Sequence, residues 1–176
     1  MLLRILNFLL SFTTTRQFAR SPSGLVLVKS CSGLVNPKDA LTRRIYAICN
    51  SADEQGIEAL PATQRAVVLA WAGRGIIGNG GFKYFYEGQW RMAETAAAYR
   101  ILGFPEAADA CERSLDVFPK RQPPRDDEER EQFLGEESSN LFEELEKVVY
   151  ALDWDSLKLA IGSYIESRPE AFREFR

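Results

Sequence analysis

The chain contains no histidine. That absence removes Ser-His-Asp and Cys-His catalysis and every metal site built on imidazole. Cysteine is scarce: Cys31, Cys49 and Cys111 are far apart in sequence, odd in number, and form no C-x-x-C pair for zinc or redox chemistry. They read as small hydrophobic residues in a reducing compartment, with a free nucleophile served by Lys, Asp, Glu or Tyr as the alternative. No metal site, no cofactor and no catalytic residue is expected. Long apolar runs are also missing. The opening MLLRILNFLL is about half of the roughly 20 residues that a membrane-spanning helix needs.

Acid is missing from one place only. Residues 1–38 hold neither Asp nor Glu, and residues 1–50 carry seven Lys and Arg against Asp39, a charge of +6. The whole chain is −3, so residues 51–176 carry −9. The two parts therefore differ in electrostatic character, and the chain divides into a basic extension, residues 1–35, and a domain, residues 36–176. Three readings fit the extension: a tail without a role, a targeting segment rich in Arg, Ser and Thr, or an ordered part of the fold with LVLV at 25–28 as a short strand. No A-x-A-like cleavage site follows its apolar run. A cytoplasmic location is expected for the domain.

After residue 36 the periodicity is helical throughout. Asn36-Pro37 has the chemistry of an N-cap followed by the first helical position, and Leu41, Ile45 and Ile48 make a stripe to about Asn50. Pro61 opens a second helix that is apolar on most sides from Ala66 to Ala72, so it belongs at the centre. QWRMAETAAAYRIL is rich in helix formers and stops at Gly103. Phe104, Ala107, Ala108, Cys111, Leu115 and Phe118 step at helical spacing. Pro119, Pro123 and Pro124 break the chain. The short helix DDEEREQFL follows, then a helix burying Leu141, Phe142, Leu145, Val148, Val149 and Leu152, then one capped by Asp155 with Leu157, Ala160, Ile161, Tyr164 and Ile165 inward. Phe172 and Phe175 pack back from a terminal turn. These elements predict an all-α domain of about seven helices around one core.

GRGIIGNGGFKYFYEG, residues 73–88, tests that prediction. Gly73, Gly75 and Gly78 spell G-x-G-x-x-G, which binds dinucleotides when a strand precedes it and a second strand ends in an acid about 20 residues on. The second strand would fall in METAAAYRIL, which is helical. Gly75 and Gly80 have P-loop spacing, but Gly81-Phe82-Lys83 follows instead of Lys-Ser/Thr. The glycines therefore read as a helix stop and turn, and Phe82, Phe85 and Tyr86 as one face of a short aromatic helix, with Tyr84 off that face and partly wet.

N-G-G-F, an aromatic run and a helix ending in Leu-Gly together resemble the DNA-mimic-protein C-terminal-domain family, a bacterial helical domain of mostly unassigned function. The matching residues are Asn79, Gly80, Gly81, Phe82, Tyr84 and Phe85, then Leu102-Gly103. Tyr164, Arg168-Pro169-Glu170 and Phe172 resemble its close, so the likeness covers residues 58–173. The resemblance implies a helical domain without established catalytic chemistry, in a family named for a member whose acidic surface imitates DNA and occupies a DNA-binding protein. Lys83 and Glu87 depart from the family's more usual uncharged polar residues.

The acidic residues are concentrated between 126 and 146: Asp126, Asp127, Glu128, Glu129, Glu131, Glu136, Glu137, Glu143, Glu144 and Glu146, with Arg130 alone opposing. As one helix the block would be about 32 Å long and carry about half the charge of duplex DNA of that length. Acids in a first turn also favour the helix dipole, and Glu143 with Lys147 has the spacing of an ordinary surface pair. Lys120, Arg121 and Arg125 lie alongside and blunt the field. Three functions are weighed. The first is a non-catalytic interaction module offering Asp126, Asp127, Glu128, Glu129, Glu131, Glu136 and Glu137 to a basic protein, such as a DNA-binding one. The second is a structural or small-ligand-binding domain with its site at the Asn79–Tyr86 turn, for which a pocket lined by Trp71, Phe82 and Tyr86 would speak. The third is an enzyme using paired carboxylates, which no recognisable spacing supports. Direct nucleic-acid binding is not expected of a negatively charged domain.

Overall fold

The structure, a computed structural model, describes residues 39–88 and 91–175. The extension 1–35, the Asn36-Pro37 cap, the LVLV segment and Cys31 lie outside the described residues. Among these residues there are seven α-helices, four 3-10 segments and no strand. AVVLAW, which a nucleotide-binding fold would need as a strand, lies inside a helix.

Helix α1 (Ala40–Gln55) is capped by Asp39 rather than Asn36, and runs beyond the expected end at Asn50. The Asp39 carboxylate accepts from the Thr42 N–H at 2.9 Å and from the Thr42 hydroxyl at 2.8 Å, so it satisfies an orphan donor of the first turn. Those same bonds favour its ionised form and hold its pKa below the ordinary value. Ile45, Ile48 and Ala52 face inward.

Helix α2 (Ala62–Gly88) is the central element. Val67, Val68, Ala70 and Ile77 are inaccessible to solvent, and Trp71 and Ile76 nearly so. It packs against α1, against α3 (Met92–Ile101), against α5 (Asp127–Glu131) and against α6 (Glu136–Tyr150). An all-round apolar sequence needs that surround, which is why no polar stripe is visible in it.

Helices α3 and α4 (Pro105–Ser114) form a hairpin. At its corner Gly103 has φ +87, the Gly103 N–H reaches the Arg100 carbonyl at 3.2 Å and the Phe104 N–H reaches the Tyr99 carbonyl at 2.9 Å. That is a Schellman ending, in which glycine supplies the left-handed residue. Pro105 then starts α4 at a position where no N–H is needed. Ala107, Ala108, Ala110 and Cys111 are buried, and burial raises the Cys111 thiol pKa well above its ordinary value, which disfavours the thiolate.

Helix α7 (Trp154–Glu166) is capped by Asp153, whose carboxylate accepts from the Ser156 N–H at 2.8 Å; the expected cap, Asp155, stands one residue inside the first turn. Val148, expected inward, is 38% exposed, because it lies at the edge of the α6 stripe that buries Phe142, Leu145 and Val149. The C-terminal 3-10 turn, Pro169–Phe175, folds back as expected with Phe172 fully buried. Gln64 Nε2 donates to the Ala171 carbonyl at 2.7 Å, and Arg44 Nη2 to the Phe172 carbonyl at 3.2 Å, which pins the turn to α2 and α1.

Candidate functional site

The aromatic turn is the first candidate. Within helix α2, Gly80 has φ −162 and Gly81 has φ +76, so the helix kinks there and restarts at Phe82. Gly78 and Asn79 stay helical; Gly81 is the residue in the left-handed half of the map. The restart leaves Phe82 with an N–H that lacks a helical partner. Glu146, reaching from α6, accepts it on Oε1 at 2.8 Å, and the Tyr150 hydroxyl donates to Oε2 at 3.3 Å. A carboxylate at the first N–H of a helix is both a hydrogen-bond acceptor and a favourable charge for the dipole. A Cβ at Gly81 would overlap that carboxylate.

The other glycines are explained by close approach. A Cβ on Gly73 would stand 2.6 Å from Thr95 Cγ2 and 3.2 Å from the Tyr99 hydroxyl, so Gly73 lets α3 lie against α2. A Cβ on Gly78 would overlap Arg74. The Arg74 guanidinium folds along that surface, donates to the Leu152 carbonyl at 2.8 Å and the Tyr150 carbonyl at 3.3 Å, and sits 5.0 Å from the Trp154 ring. It closes the carbonyl-rich end of α6.

Phe82, Phe85 and Tyr86 lie inward and Tyr84 is half-buried, as the spacing predicts. Phe82 meets Phe142 at 5.7 Å, and Tyr86 meets Phe118 at 4.8 Å. The Tyr86 and Ser114 hydroxyls are 2.7 Å apart, and Ser114 in turn donates to the Cys111 carbonyl at 2.7 Å, so Tyr86 is the donor of that pair. Trp71, Phe82 and Tyr86 are 8%, 0% and 0% exposed. That burial speaks against the alternative in which Trp71, Phe82 and Tyr86 line a small-ligand pocket. Of the motif residues, Asn79 is exposed and its side chain makes no hydrogen bond among the described residues.

The acidic segment is the second candidate, and it is not one helix. It divides into α5 and α6 with a turn between them at Gln132–Gly135. Three of its acids are taken up by the fold. Asp126 caps α5, accepting from the Glu129 N–H at 2.9 Å. Asp127 pairs at 2.7 Å with Arg130. Glu146 caps the aromatic helix. Arg130 does more than oppose the surrounding charge. It is 1% exposed, donates through Nε to the Tyr86 carbonyl, through Nη1 to the Pro124 carbonyl at 2.7 Å, and through Nη2 to Asp127. It thus ties the proline-rich loop and α5 to the end of the aromatic helix, a role the sequence pattern did not reveal.

Seven acids remain: Glu128, Glu129, Glu131, Glu136, Glu137, Glu143 and Glu144. All are exposed, and none has an ion pair among the described residues. The expected surface pair of Glu143 with Lys147 is not formed. At about 100° per residue, Glu136, Glu137, Glu143 and Glu144 fall within roughly a third of the circumference of α6, opposite the buried stripe. Glu143 and Glu144 therefore share a face with Glu136 and Glu137, while Asp126 and Asp127 are committed to holding α5. Among the neighbouring cations, Arg121 is engaged by Asp116 at 2.9 Å.

The family model described as DMP19-like protein matches residues 58–168, more than half of the chain and all of both candidate regions. The chain belongs to the DMP19-like family. The family is one of DNA-mimic proteins, in agreement with the resemblance carried by Asn79 to Phe85 and by Leu102-Gly103. The match stops at Arg168, so the Pro169, Glu170 and Phe172 likeness lies beyond it. Among curated proteins and among solved structures nothing matches this DMP19-like chain.

Two chemical facts bear on what the fold can do. Among the described residues, no group of three or more His, Cys, Asp and Glu is placed to hold a metal ion. None of the described helices is long and apolar enough to cross a membrane.

Proposed function

We propose that this DMP19-like chain is a non-catalytic interaction module that presents an acidic surface to a basic, nucleic-acid-binding protein partner in the cytoplasm. One observation carries the reading: the fold consumes Asp126, Asp127 and Glu146 but leaves the seven other carboxylates of the segment in water without counter-ions among the described residues. Charges with no structural employment stay available to a partner. On α6, four carboxylates span eight residue rises, about 12 Å. Duplex DNA carries about seven charges over that length, so the match in density is about one half. That suits competition for the electrostatic part of a protein–DNA contact, the part that is sequence-independent and salt-sensitive.

The test is capture from host lysate at two salt concentrations, read by mass spectrometry, with the native chain and with Glu136→Gln/Glu137→Gln/Glu143→Gln/Glu144→Gln. Basic nucleic-acid-binding proteins should be retained at low salt, be released at high salt and by added duplex DNA, and be lost with the variant. Capture that is indifferent to salt and to the four substitutions would remove the reading.

A further inference from the structure

Among the described residues three arginines are buried: Arg74, Arg91 and Arg130, at 9%, 5% and 1% exposure. Two of them have carboxylate partners. Arg91 pairs with Glu58 and, at 2.8 Å, with Glu94, and Arg130 pairs with Asp127. Arg74 has no carboxylate partner among the described residues. A buried charge ordinarily comes with a counter-charge, because burial without one is costly. We propose that Arg74 is completed from outside: its free edge, beside Tyr150 and Trp154, is a binding site for a carboxylate carried on an apolar or aromatic stem. This site stands apart from the acidic-surface reading and uses none of the seven glutamates of that surface.

Two of the three guanidinium nitrogens are engaged. Nε donates to the Leu152 carbonyl and Nη2 to the Tyr150 carbonyl. Those carbonyls belong to the end of α6, where the helix dipole is equivalent to roughly half a negative charge, so they offset only part of the cation. Glu146 does not complete it, because its oxygens accept from the Phe82 N–H and the Tyr150 hydroxyl. Nη1 makes no hydrogen bond among the described residues and keeps contact with solvent. It lies against Gly78, where a Cβ would overlap it, and Gly78, Asn79 and Gly80 are exposed. The donors of Nη1 therefore open on the surface.

The neighbouring rings supply the apolar part. Tyr150 and Trp154 are large side chains that folding leaves exposed. Trp154 lies over Gly75, where a Cβ would stand 3.7 Å from its Cη2, and Trp71 meets its ring at 4.8 Å and fixes it. Gly75 and Gly78 are about one turn apart on α2, so the floor between the Trp154 ring and the Arg74 tip has no side chain of its own. An apolar surface with one placed polar group is the ordinary composition of a ligand site. Phosphate suits it less well. One free nitrogen cannot grip an anion through the two-pronged fork. Residues 51–176 also carry −9, which opposes a multiply charged anion more than a singly charged one.

The test uses the full chain, isotope-labelled for NMR. The Trp154 indole N–H and the Arg74 Nε–H signals are followed as phenylacetate is added at constant ionic strength. Phenylacetamide, of the same shape but uncharged, and inorganic phosphate are titrated in parallel. Both signals should shift saturably with phenylacetate, and the two other probes should bind about tenfold more weakly, since a charge-assisted hydrogen bond is roughly twice as strong as a neutral one. Arg74→Met would also strip two carbonyls of their donor, so the informative variant is Gly78→Ala. Its methyl takes the place of Nη1 on an exposed, helical stretch of α2. It should leave signals elsewhere in the spectrum in place and weaken phenylacetate about tenfold. A short glycine peptide ending in phenylalanine distinguishes the sources of the carboxylate. If it binds more tightly than phenylacetate the ligand is a chain terminus, and if more weakly, a free acid. The absence of a saturable shift, equal binding of phenylacetamide, tighter binding of phosphate, or unchanged binding by Gly78→Ala would each overturn the inference.

Discussion

Gly73–Gly88 and Asp126–Glu146 are the two segments that stand out in the sequence, and the fold uses them in opposite ways. In the first, most side chains have employment inside the protein, with Asn79, Lys83 and Glu87 exposed. Gly73 admits α3, Gly78 admits Arg74, Gly81 turns the chain beneath Glu146, and Phe82 and Tyr86 fill the core. In the second, the employed residues are few, namely Asp126, Asp127, Arg130 and Glu146, and seven carboxylates have none. A motif that resembles a nucleotide site can thus be largely structural, while a run that resembles ordinary surface charge holds what the fold has left over. Function is better sought in the leftover, because a residue already committed to packing cannot change partners without cost to the fold.

That contrast gives an ordered set of expected effects. The largest is Gly81→Ala. The backbone there is in a region open in practice to glycine alone, and the new methyl would overlap the Glu146 carboxylate. Strain and lost capping together should cost about 3–5 kcal/mol, seen as a lower midpoint in chemical denaturation. Gly88→Ala, in the same stretch but with open space around it, should move the midpoint by less than about 0.5 kcal/mol. Similar losses at both positions would mean that the stretch is uniformly tight and that the kink has no special part in it. Next comes Arg130→Met. It removes a buried cation from four carbonyls and a carboxylate, and should cost about 2–4 kcal/mol. Protease cleavage should appear first between Gln122 and Gly135, the segment that the clasp holds. Third is Glu146→Gln, which keeps the shape but weakens the bond to the Phe82 N–H; about 1–2 kcal/mol is expected.

Much of the fold was legible in the sequence. Stripes at helical spacing placed the helices, and the apolar run from Ala66 to Ala72 identified the central one, because burial on all sides leaves a direct mark on composition. Caps were less legible. Asp153 and Asp155 have the same chemistry, and only the backbone decides which carboxylate faces the free N–H groups. The same holds for Asp39 as the cap of α1. Long-range polar contacts were not legible at all. Glu146 looks like its neighbours Glu143 and Glu144 until α6 is laid against the kink, and Arg130 looks like a lone opposing charge until its bonds to the Tyr86 and Pro124 carbonyls are traced. Periodicity reports which way a residue faces along its own helix. It carries no information about which loop or carbonyl lies opposite.

The smallest stability effect belongs to the residues proposed to matter most for binding. Glu136, Glu137, Glu143 and Glu144 make no ion pair among the described residues, so converting all four to Gln should change unfolding free energy by no more than about 0.5 kcal/mol per site. Two opposed terms keep it small. Glu136 and Glu137 lie in the first turn of α6, where the dipole favours them, while four like charges on one face repel. Both terms weaken with salt, so the difference between variant and native protein should shrink further as ionic strength rises. Denaturation of the two proteins at low and high salt measures this directly. A loss of several kcal/mol would place these glutamates with Glu146, as structural residues whose contacts lie outside the described part of the chain, and the contrast between the two segments would collapse. A small change in stability joined to lost partner capture would separate them cleanly, because an effect on binding without an effect on folding can arise only from charge that the fold does not use.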